Sequence, residues 1–179
     1  MRQDQGEWPV IESEAEYETG WYTGGHDLVE QPDGSRKRYY WAELAPAVVV
    51  VAPLEETILF VEQYRPTRQE VHLELPAGIV EPEESYTEAA IRELEEETGY
   101  RASSASLVQE YAVATGVLRH DRAVVFAEGL EAGTRQLDSN EFLTIRPVPI
   151  ADALDRAREA PANDATLSAL LLARADGLI

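Results

Sequence analysis

The 179-residue chain contains no cysteine, one methionine and a single lysine, Lys37. Without thiols it forms no disulfide and offers no thiolate metal centre, and three histidines, His26, His72 and His120, argue against structural zinc. Long apolar runs are missing too. The valine-rich run bounded by Pro46 and Pro53 is far too short to span a bilayer, and residues 1–10 lack the apolar stretch of a secretory signal. A cytoplasmic protein with no membrane partner is therefore the expectation. Positive charge is scarce: 34 acidic against 15 basic residues leave a formal charge of −19. That balance repels nucleic-acid backbones and anionic membranes, and no basic recognition helix offsets it, so a nucleic-acid partner is not expected. It also suits a protein kept soluble at high salt, an expectation about habitat.

What is present is enough for a packed core, since 44% of the residues are apolar. Residues 1–18 are polar and acidic, fit for an edge or frayed position. Trp21–Glu30 and Lys37–Leu44 flank a turn at Pro32, Asp33 and Gly34, which predicts an antiparallel hairpin. Its aromatic residues either pack on a neighbouring sheet or stack on a base. Strands are predicted at Ala47–Ala52 and Thr57–Arg65. The alternation of Val71, Leu73 and Leu75 against His72 and Glu74 predicts a further strand with its apolar side buried. Beyond a central helix, Ala105–Ala114, Ala123–Glu128 and Phe142–Val148 read as strands, joined in part by a polar connection over Gly129–Glu141. Asp152 is placed to cap a short helix ending near Pro161, and Asn163 to cap a last one. The order predicts an α/β protein, a mixed sheet covered by helices, divided as an amino-terminal hairpin region over residues 1–45 and a main domain over 46–179.

The chain is organised around Gly78–Tyr100, a turn running into a helix. At about 100° per residue, Glu93, Glu96 and Glu97 share one arc, while Ala90, Ile91, Leu94 and Thr98 share the neighbouring one. The apolar arc is expected to face the core and the acidic arc to border it. Pro82–Ser85 suits the start, with Glu83 and Glu84 at the positive end, and Gly99 suits a left-handed stop. Arg92 lies within reach of Glu88 and Glu96 along the helix. Three neighbouring carboxylates disfavour their own ionisation unless water or a cation compensates them. In so acidic a chain, a solvated acidic helix is the plain alternative.

The spacing weighs against that alternative. Gly78, five residues, Glu84, seven residues, Arg92-Glu93-Leu94, one residue, Glu96-Glu97, one residue and Gly99 resembles the box of the Nudix hydrolases, with Tyr100 where that family carries a branched aliphatic residue. The run EQYRPTRQEVHLELPAG before the box, EFLTIRPVPI and NDATLSALLLA after it resemble the ADP-ribose pyrophosphatase branch. The resemblance implies a Nudix-type alpha/beta/alpha sandwich and hydrolysis of a nucleoside diphosphate sugar, ADP-ribose above all, yielding AMP and ribose 5-phosphate. Another nucleoside diphosphate derivative, or nucleotide sensing without turnover, is the alternative. The branch commonly has a proline about fifteen residues beyond the box; here Tyr111–Gly116 reads YAVATG, so ribose and adenine contacts are expected to differ.

Breaking a phosphoanhydride with water needs charge neutralisation, a positioned nucleophile and a stabilised leaving group. Glu93, Glu96, Glu97 and the Ala77 carbonyl form an all-oxygen donor set suited to Mg²⁺, with Mn²⁺ as a substitute. The resemblance makes Glu93 and Glu97 the principal ligands, lets Glu96 share, gives Arg92 the task of orienting them and leaves Glu84 a supporting part. It also points to Glu141 as the group that positions or deprotonates water, with a box glutamate as the alternative base. Arg65 is a candidate for diphosphate oxygens, either in that role or in a structural salt bridge. Gly78 is a point of close ligand approach. Arg38 is a weaker candidate, acting across a homodimer of the kind related enzymes form.

Overall fold

The computed structural model describes residues 6–137, 139 and 141–179 and divides the chain into two compact units. The first comprises residues 1–45 and 112–121, the second residues 46–111 and 122–179.

In the first unit, β1 (Val10–Glu18), β2 (Thr23–Glu30), β3 (Arg36–Glu43) and β10 (Leu118–Arg119) form one sheet in the order β1-β2-β3-β10. The predicted hairpin is β2–β3, antiparallel from Thr23↔Glu43 to Glu30↔Arg36. Its turn is set by side-chain chemistry. Asp33 Oδ1 accepts the Ser35 amide at 2.9 Å, and Gly34 takes a φ of 81° that residues with a Cβ resist. β1 is an exposed edge strand along its whole length. The aromatic side chains pack within their own sheet: Trp8 meets Tyr39 edge-on, Tyr17 meets Tyr22, and the Arg119 guanidinium lies 4.0 Å over the Trp41 ring.

The second unit is built on β4 (Ala47–Val51). It pairs antiparallel with β8 (Ala77–Ile79) and parallel with β11 (Asp121–Ala132), beyond which lies β9 (Tyr100–Ala112). The unbroken valine run has a simple cause, because β4 is covered on both faces. Val48 and Val50 meet Ala89, Ala90 and Leu94 of α1 (Tyr86–Thr98); Val49 and Val51 meet Ala153 of α2 (Ile150–Arg158) and Ala169 and Leu170 of α3 (Asp164–Ala175). Each such buried branched side chain contributes about 1.5–3 kcal/mol. A second, antiparallel sheet holds β5 (Pro53–Leu54), β6 (Thr57–Arg65), β7 (Glu70–Glu74) and β12 (Leu143–Pro149), with β6 between β12 and β7. Helices on opposite faces of a mixed sheet make the alpha/beta/alpha arrangement expected from sequence. Among the described residues no helix is long and apolar enough to cross a membrane.

Four expectations need correction. In β7 it is His72 and Glu74 that are buried, while Val71 is half exposed and Leu75, just past the strand, is buried as expected; the strand turns its polar side inward, where Gln63 and Arg65 donate to Glu74. α1 is capped by Ser85, within the expected Pro82–Ser85 start, but Glu83 and Glu84 precede that cap and the first-turn acid is Glu88; Ser85 and Glu88 close a reciprocal capping box. Asp152 lies inside the first turn of α2 and makes no cap hydrogen bond, since that helix follows Pro149 directly. β9 starts at Tyr100, at once after Gly99, and β11 runs past Glu128 to Ala132. Asn163 does cap α3, accepting the Thr166 amide at 2.8 Å.

Candidate active site

β8 and α1 build the centre of the site between them. Ser85 fixes the start of α1, and Gly99, at φ 72°, ends it by donating its amide to the Glu95 carbonyl. Between these stops, the face that carries Ala89, Ala90 and Leu94 also carries Glu93 and Glu97, which are 9% and 2% exposed. The acidic arc therefore enters the core face instead of merely bordering it, because positions four apart on a helix stack above one another. β8 accommodates both acids. Glu97 Oε2 accepts the Ala77 amide at 3.2 Å. The Glu93 carboxylate lies over Gly78 so closely that a Cβ there would fall 1.9 Å from its Cδ. Gly78 is thus required by the approach of Glu93, a protein side chain, and not by a left-handed backbone.

Arg92 ties the cluster together. Its Nε and Nη2 donate to the two oxygens of Glu84 at 2.9 and 2.8 Å, Nη1 donates to Glu93 at 2.8 Å and to Glu96 at 3.1 Å, and Nη2 also reaches the Ile79 carbonyl at 2.9 Å. Glu88, an expected partner, is occupied by Ser85 instead. One guanidinium thereby spreads its donors over three carboxylates and the last carbonyl of β8, a use of the planar fork that a lysine could not copy.

The charges within the cluster are unequal. The Arg92 hydrogen bonds hold Glu84 below the usual carboxylate range. Burial pushes Glu93 up, against the pull of Arg92 and with help from Glu96 and Glu141. Burial pushes Glu97 well up, and Glu93 and Glu141 add to it, while the Ala77 amide and Arg65 pull the other way. Two points follow. Glu141, on the loop before β12, brings its charge close enough to act on both buried acids, and Arg65 acts on Glu97 from the end of β6. The fold has gathered acids whose ionisation it disfavours, which is the electrostatic condition a bound cation relieves.

Among the described residues, no group of three or more acidic or histidine side chains converges as a ready-made cation cage. Glu93 and Glu96 lean on Arg92, and Glu97 on Ala77. The donor set still fits a hard cation, being all oxygen with its two innermost members buried.

Arg65 is in a salt bridge. Its Nε and Nη2 both donate to Glu74 Oε2, at 3.0 and 2.5 Å, and Gln63 Nε2 donates to the same oxygen at 3.0 Å. Glu74 is 9% exposed whereas the Arg65 side chain is 43% exposed, so the carboxylate anchors a guanidinium whose Nη1 edge remains available. Arg38, on β3 of the first unit, donates from Nε to His26 Nε2 at 3.0 Å, and His26 Nδ1 is bonded to Glu16 at 2.5 Å. The sequence does not reveal Glu74 as the anchor of Arg65, nor Gln63 as the second donor to that carboxylate. Their signal exists only across strands, since Gln63 pairs with His72 and Val61 with Glu74. Nor does the sequence reveal Arg135, a residue of the polar 129–141 connection with no local pattern to mark it.

The NUDIX domain family model matches residues 43–170. An ADP-ribose pyrophosphatase of Bacillus subtilis is 34% identical over 129 residues, covering 70% of each chain. A methanol dehydrogenase activator of Bacillus methanolicus is 32% identical over 136 residues, covering 74% of each. The crystal structure of an ADP compounds hydrolase superposes with a TM-score of 0.89 over 98% of both chains at 24% identity, a likeness of fold.

Proposed function

Because the chain belongs to the Nudix hydrolase family, we propose that it is a divalent-metal-dependent pyrophosphohydrolase of nucleoside diphosphate sugars, cleaving ADP-ribose to AMP and ribose 5-phosphate. The observation that carries this reading is the convergence on Glu93 and Glu97: both are buried on α1 and both feel the charge of Glu141. Relatives named for ADP-ribose and ADP-sugar hydrolysis, from Bacillus subtilis and mouse, support the substrate class.

Glu93, Glu96 and Glu97, with the Ala77 carbonyl, would hold Mg²⁺ or Mn²⁺, and such an ion when bound neutralises diphosphate oxygens. The chain's own residues do the rest. Arg92 keeps the acids apart and oriented, and Glu84 holds Arg92 in place. Arg65, braced by Glu74, offers its outer edge to a phosphate oxygen. Water adds to one phosphorus, the bond from that phosphorus to the bridging oxygen breaks, and the proton of the water passes to the Glu141 carboxylate. The pull of Arg65 on charge developing at the phosphate is the electrostatic part of catalysis that the protein supplies. Arg38 remains a second arginine for the sugar or diphosphate if the chain forms a homodimer, which light scattering at assay concentration tests.

A screen of nucleoside diphosphate sugars and dinucleotides with and without Mg²⁺ tests the reading. ADP-ribose hydrolysis abolished by chelation is expected, and saturable binding without product would reject catalysis. Glu97→Gln and Glu141→Gln, measured side by side, assign the base. If Glu141→Gln keeps most of the turnover, the loop acid is not that group. Oxygen-18 from water, traced into AMP or ribose 5-phosphate, identifies the phosphorus attacked.

A further inference from the structure

The C-terminal end of α1 is finished by the segment that carries Glu141. A helix leaves its last carbonyls without partners, and that end carries partial negative charge. α1 has no basic residue in its own last turn. The missing donors come from the connection after β11. Gln136 donates its amide to the Glu96 carbonyl at 3.1 Å and Gly133 to the Gly99 carbonyl at 2.7 Å. Arg135 does more, because its Nε donates to the Glu97 carbonyl at 2.7 Å while Nη2 donates to the Leu143 carbonyl at 2.8 Å. Its backbone and Cβ also pack against Gly99, where an added Cβ would meet the Arg135 Cβ at 3.3 Å.

Those two carbonyls belong to different parts of the proposed mechanism. Glu97 is the more deeply buried candidate metal ligand; Leu143 opens β12, paired with Gln63 of β6, and stands two residues after Glu141. One planar side chain thus spans the gap between the helix that presents Glu93, Glu96 and Glu97 and the strand end that presents Glu141. We propose that Arg135 is a positioning residue that fixes the distance between the Glu141 carboxylate and the glutamates of α1, clamping the loop acid over the reacting phosphorus. The proposal rests on the pyrophosphohydrolase reading above. It assigns Arg135 no contact with substrate, and the loss of turnover it predicts is the loss of a well-placed Glu141.

A simple helix cap would make the same two hydrogen bonds, and a double-mutant cycle separates the two roles. Arg135→Gln is compared with Glu141→Gln and with the double variant, in steady-state hydrolysis of ADP-ribose with Mg²⁺. Misplacing the acid by about 1 Å lowers kcat about 10²-fold, whereas KM and the Mg²⁺ concentration at half activity hold, because Arg135 meets Glu97 only at its backbone carbonyl while Arg65 and the α1 carboxylates keep their own partners. On the Glu141→Gln background, Arg135→Gln is then expected to change kcat by no more than about twofold. Arg135→Lys keeps positive charge at the helix end without bridging both carbonyls, and its kcat should fall nearly as far. Losses that simply multiply, or full activity in Arg135→Lys, would overturn the clamp. Amide hydrogen exchange gives an independent reading: the Gln136 amide should exchange faster in Arg135→Gln while the first turn of α1 is unchanged. An unaltered Gln136 rate would overturn the clamp whatever the enzyme hydrolyses. A wild type that hydrolyses nothing would instead overturn the proposed reaction, and the positioning role with it.

Discussion

Gly78 shows how a single hydrogen atom sets the chemistry at the residue scale. The atoms that a methyl group would strike are the far end of the Glu93 side chain, which can swing aside, so Gly78→Ala should fold with nearly native stability. The displaced carboxylate is then lost from the site, and a kcat about 10²-fold lower with an unchanged melting temperature is the expected pair of results. A comparable loss of stability would place the role of Gly78 in folding instead. Glu97 illustrates the converse, a group the fold holds at a penalty. Burial raises Glu93 and Glu97 above their ordinary range, so the metal-free fold favours their protonated forms. Their contribution to stability is full below the unfolded value, about pH 4.3, and is lost as pH rises through the raised folded values. Glu84 is lowered, and its contribution is present above the unfolded value and lost as pH falls through the folded one. Metal-free Glu97→Gln should therefore melt above wild type near pH 7, by about 2–4 °C per kcal/mol relieved, with the gap closing as pH falls to the unfolded value. Stabilisation by Mg²⁺ should grow over the same interval, since binding requires the deprotonated acids. A melting difference that does not vary with pH would contradict this origin.

At the scale of elements, α1 and β8 act as a pair, each supplying what the other lacks. The helix brings carboxylates and the strand brings an amide at Ala77 and an opening at Gly78. The Ser85–Glu88 capping box fixes where the helix starts, and hence which residues face β8. Its loss should weaken the helix without touching the chemistry. Ser85→Ala is expected to lower stability by about 1 kcal/mol in denaturant melts while kcat stays within about twofold of wild type. β7 is the element that sequence periodicity misassigned. The pattern of Val71, Leu73 and Leu75 is a sound sign of a buried apolar side, but strand pairing set Glu74 where Gln63 and Arg65 meet it, and that network turned the polar side inward. Periodicity within one strand carries no information about the strand beside it.

For the whole molecule the dominant quantity is the charge of −19. Many ion pairs offset part of it locally, including Arg146 with Glu62 and Arg122 with Asp164, yet the excess of acid remains. At low ionic strength the repulsion among exposed carboxylates opposes the folded state, and salt screens it over about 10 Å at 0.1 M and about 3 Å at 1 M. The melting temperature is expected to rise between dilute buffer and about 1 M potassium chloride. A flat or falling curve would remove the case for adaptation to salt.

The strands β4 and β6, the helix stop at Gly99, the Asn163 cap and the acidic face of α1 are local facts, determined by residues a few positions apart, and the sequence by itself settled them. Proximity between distant segments was decided only by tertiary structure. The burial of Glu93 and Glu97, the bracing of Arg65 by Glu74, and the span of Arg135 from Glu97 to Leu143 each join segments that chain order keeps apart. The reason is that hydrogen bonds and desolvation act through space over a few ångströms, and spacing along the chain reports such distances only within a single helix, strand or turn.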